Sequence, residues 1–175
     1  MSPTTITTTR NKVPLKQKGA FGAGHFVLNL LPGVLGVYIQ VFILTAFGMD
    51  PVWAGLLGGL PRIFDALTDP VMGFISDNTK STWGRRRPYI FSGAIISGIL
   101  FILMWQLDEN ASQTFNFWYV LILQILFLVG NTMFATPLVG LGYELTSDYN
   151  ERTRLMSFAN SIGQIAWIIV PWLYV

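Results

Sequence analysis

The sequence contains no cysteine and one histidine. The first absence excludes disulfide, zinc–thiolate and thiol-nucleophile chemistry, and the second excludes a histidine-rich metal centre. Charge is scarce too: Asp, Glu, Lys and Arg supply 11% of the 175 residues, less than half of the about 25% usual in soluble domains. That composition does not fit an ordinary cytosolic globule. What fills the chain instead is apolar, with 52% hydrophobic residues, 13 Phe, 6 Trp and 6 Tyr and a mean hydropathy of +0.51. A chain with so much to bury is not intrinsically disordered.

The few charges are unevenly placed. Residues 19–49, 88–107, 110–143 and 155–175 hold no Asp, Glu, Lys or Arg. Each run suits a membrane crossing, which takes about 20 mostly apolar residues. A fifth apolar stretch, 51–76, is interrupted by Arg62, Asp65 and Asp69. The pattern predicts an all-α integral membrane protein with five spans at about 21–46, 52–76, 88–107, 116–142 and 154–175, after a polar tail, 1–18. Arg10, Lys12, Lys16 and Lys18 precede the first span, Lys80 and Arg85–Arg87 lie between the second and third, and Arg152 and Arg154 lie between the fourth and fifth. The connections around Asp50 and Asp108 have no basic residue. Lys and Arg collect in cytoplasmic loops, so the N-terminus is expected in the cytoplasm and the protein in the cell (inner) membrane. The tail, with no apolar core, does not read as a cleavable signal, and the first span is expected to direct insertion.

Arg62, Asp65 and Asp69 fall within about 60° of one another on a helix at 100° per residue. A charge at mid-membrane costs about 2.5–3.5 kcal/mol on insertion scales, so these side chains are expected to face protein or water rather than lipid. Carboxylates at i and i+4 stand about 6 Å apart at Cβ, close enough to share one cation. Arg62 is the expected charge partner of one of them, and the remaining negative charge calls for a hard cation or a proton. Thr68 and a hydroxyl from a neighbouring span are suited to complete such a site.

The run from Arg62 to Gly73 (RIFDALTDPVMG), then Ser76-Asp77-Asn78-Thr79 and Trp83-Gly84-Arg85-Arg86-Arg87-Pro88, resembles the glycoside–pentoside–hexuronide:cation symporters of the major facilitator superfamily. The stretch from Glu144 to Arg152 (ELTSDYNER) is a second similar segment. The resemblance implies the first five helices of a six-helix N-terminal bundle, the incomplete N-terminal half of a carrier whose C-terminal half would be its partner. It implies cation-coupled symport of a sugar or related glycoside, with a sodium ion or a proton as coupling ion and no other cofactor. Carried over by residue, the coupling cation falls to Asp65 and Asp69, assisted by Thr68 and by Thr132 of the fourth span. All these positions bear oxygen, which favours sodium. Gly73, Asp77, Gly84, Arg85, Arg86 and Arg87 correspond to a conformational latch in the loop, with Asp148, Glu151 and Arg152 in a similar role at the next one. The family's charged sugar ligands fall at Gly24 or His25, at Ala135 and at Asn160, none of them charged here. Two alternatives stay open: a sodium-coupled lysolipid carrier, since some animal relatives move lysophospholipids, and a small non-transporting membrane partner of a full carrier.

The substrate candidates are then neutral. His25, Asn29 and Gln40 share a stripe on the first span, Gln124 and Asn131 on the fourth, and Asn160, Gln164 and Trp167 lie near one another on the fifth. Amides bond hydroxyls, and an indole stacks on a sugar ring. The expected partners are the lipid bilayer and a small-molecule substrate. Nucleic acid is not among them, because three arginines beside a span set topology and meet anionic headgroups. No nucleophile–base pair or phosphate loop points to an enzyme.

Overall fold

The computed structural model describes residues 12–46, 48–108 and 110–174, and among them there is no strand. Helix α1 (Leu15–Val34) contains Pro32, passes into a π-helical turn (Leu35–Ile39) and continues as α2 (Gln40–Ala46). Proline has no N–H to give the preceding turn, and a widened turn is one way a helix absorbs such a break. The Tyr38 hydroxyl in that turn donates to the Val170 carbonyl. Helix α3 (Pro51–Asn78) starts on an Asp50 cap that accepts from the Val52 N–H at 2.8 Å, with proline in its first turn, a favoured start for a helix. Helix α4 spans Arg87–Met104. Helix α5 (Gln113–Glu144) is capped by Ser112, and α6 (Tyr149–Ile169) by Asp148, before a closing 3₁₀ turn at Val170–Tyr174.

These elements overrun the sequence-based bounds at several ends. Helix α1 begins at Leu15, so the last residues of the expected polar tail, Lys16 and Lys18 among them, form its first turn. Likewise α6 begins five residues before the expected span. Hydropathy detects the part of a helix that wants hydrocarbon, whereas backbone hydrogen bonding carries the helix on through polar residues.

Among the described residues, four helical stretches are long and apolar enough to cross a membrane: Leu15–Ile43, Arg87–Met104, Gln113–Glu144 and Tyr149–Leu173. Helix α3 has the length, at 28 residues, but carries Arg62, Asp65, Asp69 and Asp77. It lies parallel to α5, from the Trp53–Phe117 ring pair at one end (4.4 Å between centroids) through Asp65 and Thr132 to Gly73 beside Thr136. Arg62, Asp65 and Asp69 therefore sit at the depth of the middle of α5, and Asp77 at its basic end.

Helix α5 packs against α3 and α4, α1 packs along α6, and a smaller α1–α5 contact joins the two groups. The α4–α5 crossing is the closest fitted: a Cβ on Gly93 would lie 2.5 Å from the Phe134 nitrogen and 2.8 Å from the Gly130 oxygen. Small residues bring membrane helices together in this way, with backbone meeting backbone. One apolar cluster (Leu35, Ile39, Leu57, Met104, Phe127) fills one end of the bundle and another (Phe21, Phe134, Leu138, Leu155) the other. Helices α1 and α4 scarcely touch; two apolar clefts of about 460 and 360 Å³ lie between them. Lys18, Lys80, Arg85–Arg87, Arg152 and Arg154 all fall at one end of the bundle, and the opposite end has no Lys or Arg among the described residues. The outer faces expose Leu67, Phe74, Phe91, Ile102 and Ile168, a surface suited to lipid.

Candidate functional site

Asp65 sits near the middle of α3, on the side that meets α5. Thr132 is 1% exposed there, and its Oγ1 donates to Asp65 Oδ1 at 3.3 Å. The Thr68 hydroxyl donates to the Asp65 backbone carbonyl at 3.2 Å, closing a bond within its own helix. Asp69, one turn on, is exposed. Two of the four expected cation ligands, Asp65 and Thr132, thus meet at the α3–α5 contact, while the Thr68 hydroxyl is bonded within its own helix and the second carboxylate is exposed. No group of three or more His, Cys, Asp or Glu side chains suited to a metal occurs among the described residues. Two carboxylates with two hydroxyls form an all-oxygen set, the donor chemistry of a hard cation.

The expected salt bridge of Arg62 is not formed: no ion pair joins it to Asp65 or Asp69 among the described residues. Asp65 turns towards α5, while Arg62 lines a small cavity of about 110 Å³ between α1, α3 and α5, together with Gln124, Gly36 and Pro61. Among the described residues the buried Gln124 Oε1 has no hydrogen-bond partner, and neither does Asn131 Oδ1 further along α5.

The substrate candidates do not converge on one pocket. His25 is 5% exposed and set against the Phe21 ring at 4.5 Å between centroids, tilted by 55°, its Nδ1 3.3 Å from the Phe21 carbonyl; it is a core histidine because α1 packs along α6 on that face. Asn29 is spent between the helices: Nδ2 donates to the His25 carbonyl at 2.8 Å, and Oδ1 accepts from Trp167 Nε1 at 3.2 Å. Asn160, Gln164 and Trp167 are exposed on α6. The Gln40 side chain lies outside the described residues.

At the basic end the loop arginines are anchored. Arg86 pairs with Asp77, Arg85 with Glu144, and Arg86 Nε lies 3.4 Å from Glu144 Oε1. The Arg86 guanidinium occupies the space a side chain at Gly140 would fill. Gly84 has φ +95°, a backbone that other residues rarely adopt. Gly73 meets only the Thr136 methyl at ordinary distance, and Arg87 forms no ion pair among the described residues. Asp148, Glu151 and Arg152 do not pair with the arginine loop. Asp148 caps α6. Glu151, 1% exposed, holds Lys18 at 2.6 Å and accepts from the Val13 N–H at 3.2 Å. Arg152 reaches the Thr146 carbonyl at 3.4 Å and the Tyr143 ring at 6.0 Å. Asp148 supplies the cap and Glu151 the negative charge that a helix start favours, and Glu151 at the same time ties the start of α1 to α6. Sequence reasoning missed Glu144, the acid that both arginines share, and Lys18. Glu144 stands one helical turn beyond Gly140, and that glycine–acid spacing was the available signal.

Residues 20–173 match the family model described as MFS/sugar transport protein. The chain belongs to that family. It is 35% identical over 159 residues to an uncharacterised symporter of Synechocystis, covering 87% of this chain and 29% of the relative. It is 26% identical to the isoprimeverose transporter of Lactiplantibacillus pentosus, covering 92% and 33%. It is 23% identical to sodium-dependent lysophosphatidylcholine symporter 1 of Xenopus tropicalis, covering 96% and 32%. The chain spans about a third of the length of these curated relatives. Membership in the MFS/sugar transport family makes it an integral membrane protein of symporter kinship rather than an enzyme, and its helices are those of the N-terminal part of the major facilitator fold.

Proposed function

We propose that this chain is the N-terminal part of a sodium-coupled symporter for a sugar or related glycoside. The observation that carries the reading is the Asp65–Thr132 contact: a carboxylate met by a hydroxyl from a parallel helix, halfway along an apolar bundle. Arg62 carries one positive charge against the two carboxylates and forms no ion pair with either among the described residues, so a net negative charge stays at membrane depth, and a bound cation removes it. Asp65 and Asp69 hold the cation, and Thr132 and Thr68 add neutral oxygens. A cation in that place favours loading of substrate, and linkage requires substrate to tighten cation binding by the same factor. The loaded carrier then rocks to the other side.

On this reading the basic end faces the cytoplasm, the protein sits in the inner membrane, and α3 crosses the bilayer alongside α5. The remainder of the longer protein supplies the opposite wall of the cavity and an apolar helix for the cleft between α1 and α4. The test is uptake by the full-length protein in cells or vesicles with and without a sodium gradient. Asp65→Asn and Asp69→Asn are expected to abolish sodium stimulation while insertion is retained. Sodium stimulation that survives the double change refutes the site. A lysolipid substrate is the second reading, prompted by the relative named as a lysophosphatidylcholine symporter. Competition by lysophosphatidylcholine and not by glycosides selects it.

A further inference from the structure

Helix α6 carries an exposed polar stripe. Ser157, Asn160, Gln164 and Trp167 are all exposed, and at 100° per residue they fall within about 80° of its circumference. The amides of Asn160 and Gln164 make no hydrogen bond among the described residues. Unpaired amides in hydrocarbon carry a steep desolvation cost, so this stripe faces water, while Phe158 and Ile165 face another way around the helix.

Trp167 is not free to turn. Its Nε1 donates to Asn29 Oδ1 at 3.2 Å, and Asn29 is fixed in turn by its bond to the His25 carbonyl at 2.8 Å. The ring lies against α1 at a glycine: a Cβ on Gly33 would be 3.7 Å from Trp167 Cζ3 and 3.2 Å from Val170 Cγ2. With its only donor turned into the protein and 45% of its surface exposed, the indole offers outward a fixed aromatic surface and no hydrogen bond. Gln164 and Asn160 stand one and two turns further along the same stripe. A flat face with few polar atoms, bordered by amides, matches a pyranose ring: axial C–H groups on one side and hydroxyls at the edge.

The geometry points to Trp167 as a stacking platform for the pyranose ring of the substrate, with Asn29 as its positioning residue rather than a ligand. This rests on the glycoside reading above and narrows it to ring recognition. The experiment is calorimetric binding of a panel of p-nitrophenyl pyranosides to the full-length protein in sodium, with sodium binding measured separately without glycoside. Trp167→Ala is expected to weaken glycoside binding about tenfold, and Trp167→Phe less than about threefold, the scale of one aromatic contact, with sodium affinity unchanged in both. Trp167→Leu fills the space over Gly33 without a π face and repeats the test if the alanine variant does not fold. Asn29→Ala is expected to weaken binding roughly threefold or more in the wild type and to add nothing in the Trp167→Phe protein, which has no N–H to hold.

Wild-type affinity in the alanine and leucine variants overturns the platform. An equal Asn29→Ala loss in both backgrounds overturns the positioning role. A wild-type protein that binds lysophosphatidylcholine and no pyranoside overturns the glycoside reading itself, and the platform with it. Glycoside binding that ignores Trp167 overturns the platform alone.

Discussion

Replacing Gly93 by alanine isolates the backbone-to-backbone contact of α4 with α5. The added methyl would stand 2.5 Å from the Phe134 nitrogen and 2.8 Å from the Gly130 oxygen, against 3.4–4 Å for an ordinary contact. Both obstacles are backbone, which cannot rotate aside, so α4 and α5 must part by roughly 1 Å along the crossing. Overpacking of this kind costs about 1–3 kcal/mol. Gly98, on the same helix, has nothing within 4 Å of a built Cβ. There alanine is expected to stabilise by about 0.5–1 kcal/mol, because glycine gives up more chain entropy on folding. Gly130→Ala should fall between them, since its obstacles, Ile96 Cγ2 at 2.9 Å and the Ser97 nitrogen at 3.1 Å, stand farther off than those at Gly93. Denaturant titration in detergent micelles, followed by tryptophan fluorescence, measures all three. The reasoning fails if Gly93→Ala and Gly98→Ala shift stability in the same direction by similar amounts.

Other expectations follow from single contacts. Thr132→Val keeps the shape but removes the hydroxyl at Asp65; sodium affinity should fall about tenfold or more, while Thr132→Ser should retain most of it. Tyr38→Phe deletes the bond to the Val170 carbonyl and should cost about 0.5–1.5 kcal/mol in the same unfolding assay. Asp77→Asn breaks an exposed pair, worth at most about 1 kcal/mol. Its expected signature is therefore an altered transport rate with nearly unchanged stability, and a large stability loss would count against a conformational role. Gly140→Ala should produce the same rate change by displacing the Arg86 guanidinium.

Helix positions were legible because hydropathy and charge bias are properties of the chain alone. The Thr132–Asp65 meeting was legible only through likeness to a known family, since nothing in one helix names its neighbour across a gap. His25 and Arg62 make the same point. Spacing put Arg62 near Asp65 on one helix face, but α5 drew the carboxylate one way and a small cavity took the guanidinium another. His25 lay on a polar stripe by periodicity, yet that stripe is the buried seam between α1 and α6. Glu144 was legible only as the start of the second similar segment, because its pairing is with Arg85 and Arg86, which lie 59 and 58 positions away in sequence.

The π turn at Leu35–Ile39 has a consequence for sequence phase. A turn that takes in one extra residue retards the helix by about a fifth to a third of a rotation. Side chains beyond it therefore no longer share the faces that a count from His25 and Asn29 assigns to them. In this fold it is the retarded phase that buries Ile39 and Ile43 beside Leu57 and Met104. Removing a single residue from the turn would restore an unbroken α-helix and rotate that pair out of the core. One short stretch of α1 thus works as a phase shifter, and relatives that differ in length there would need a different set of apolar positions after it.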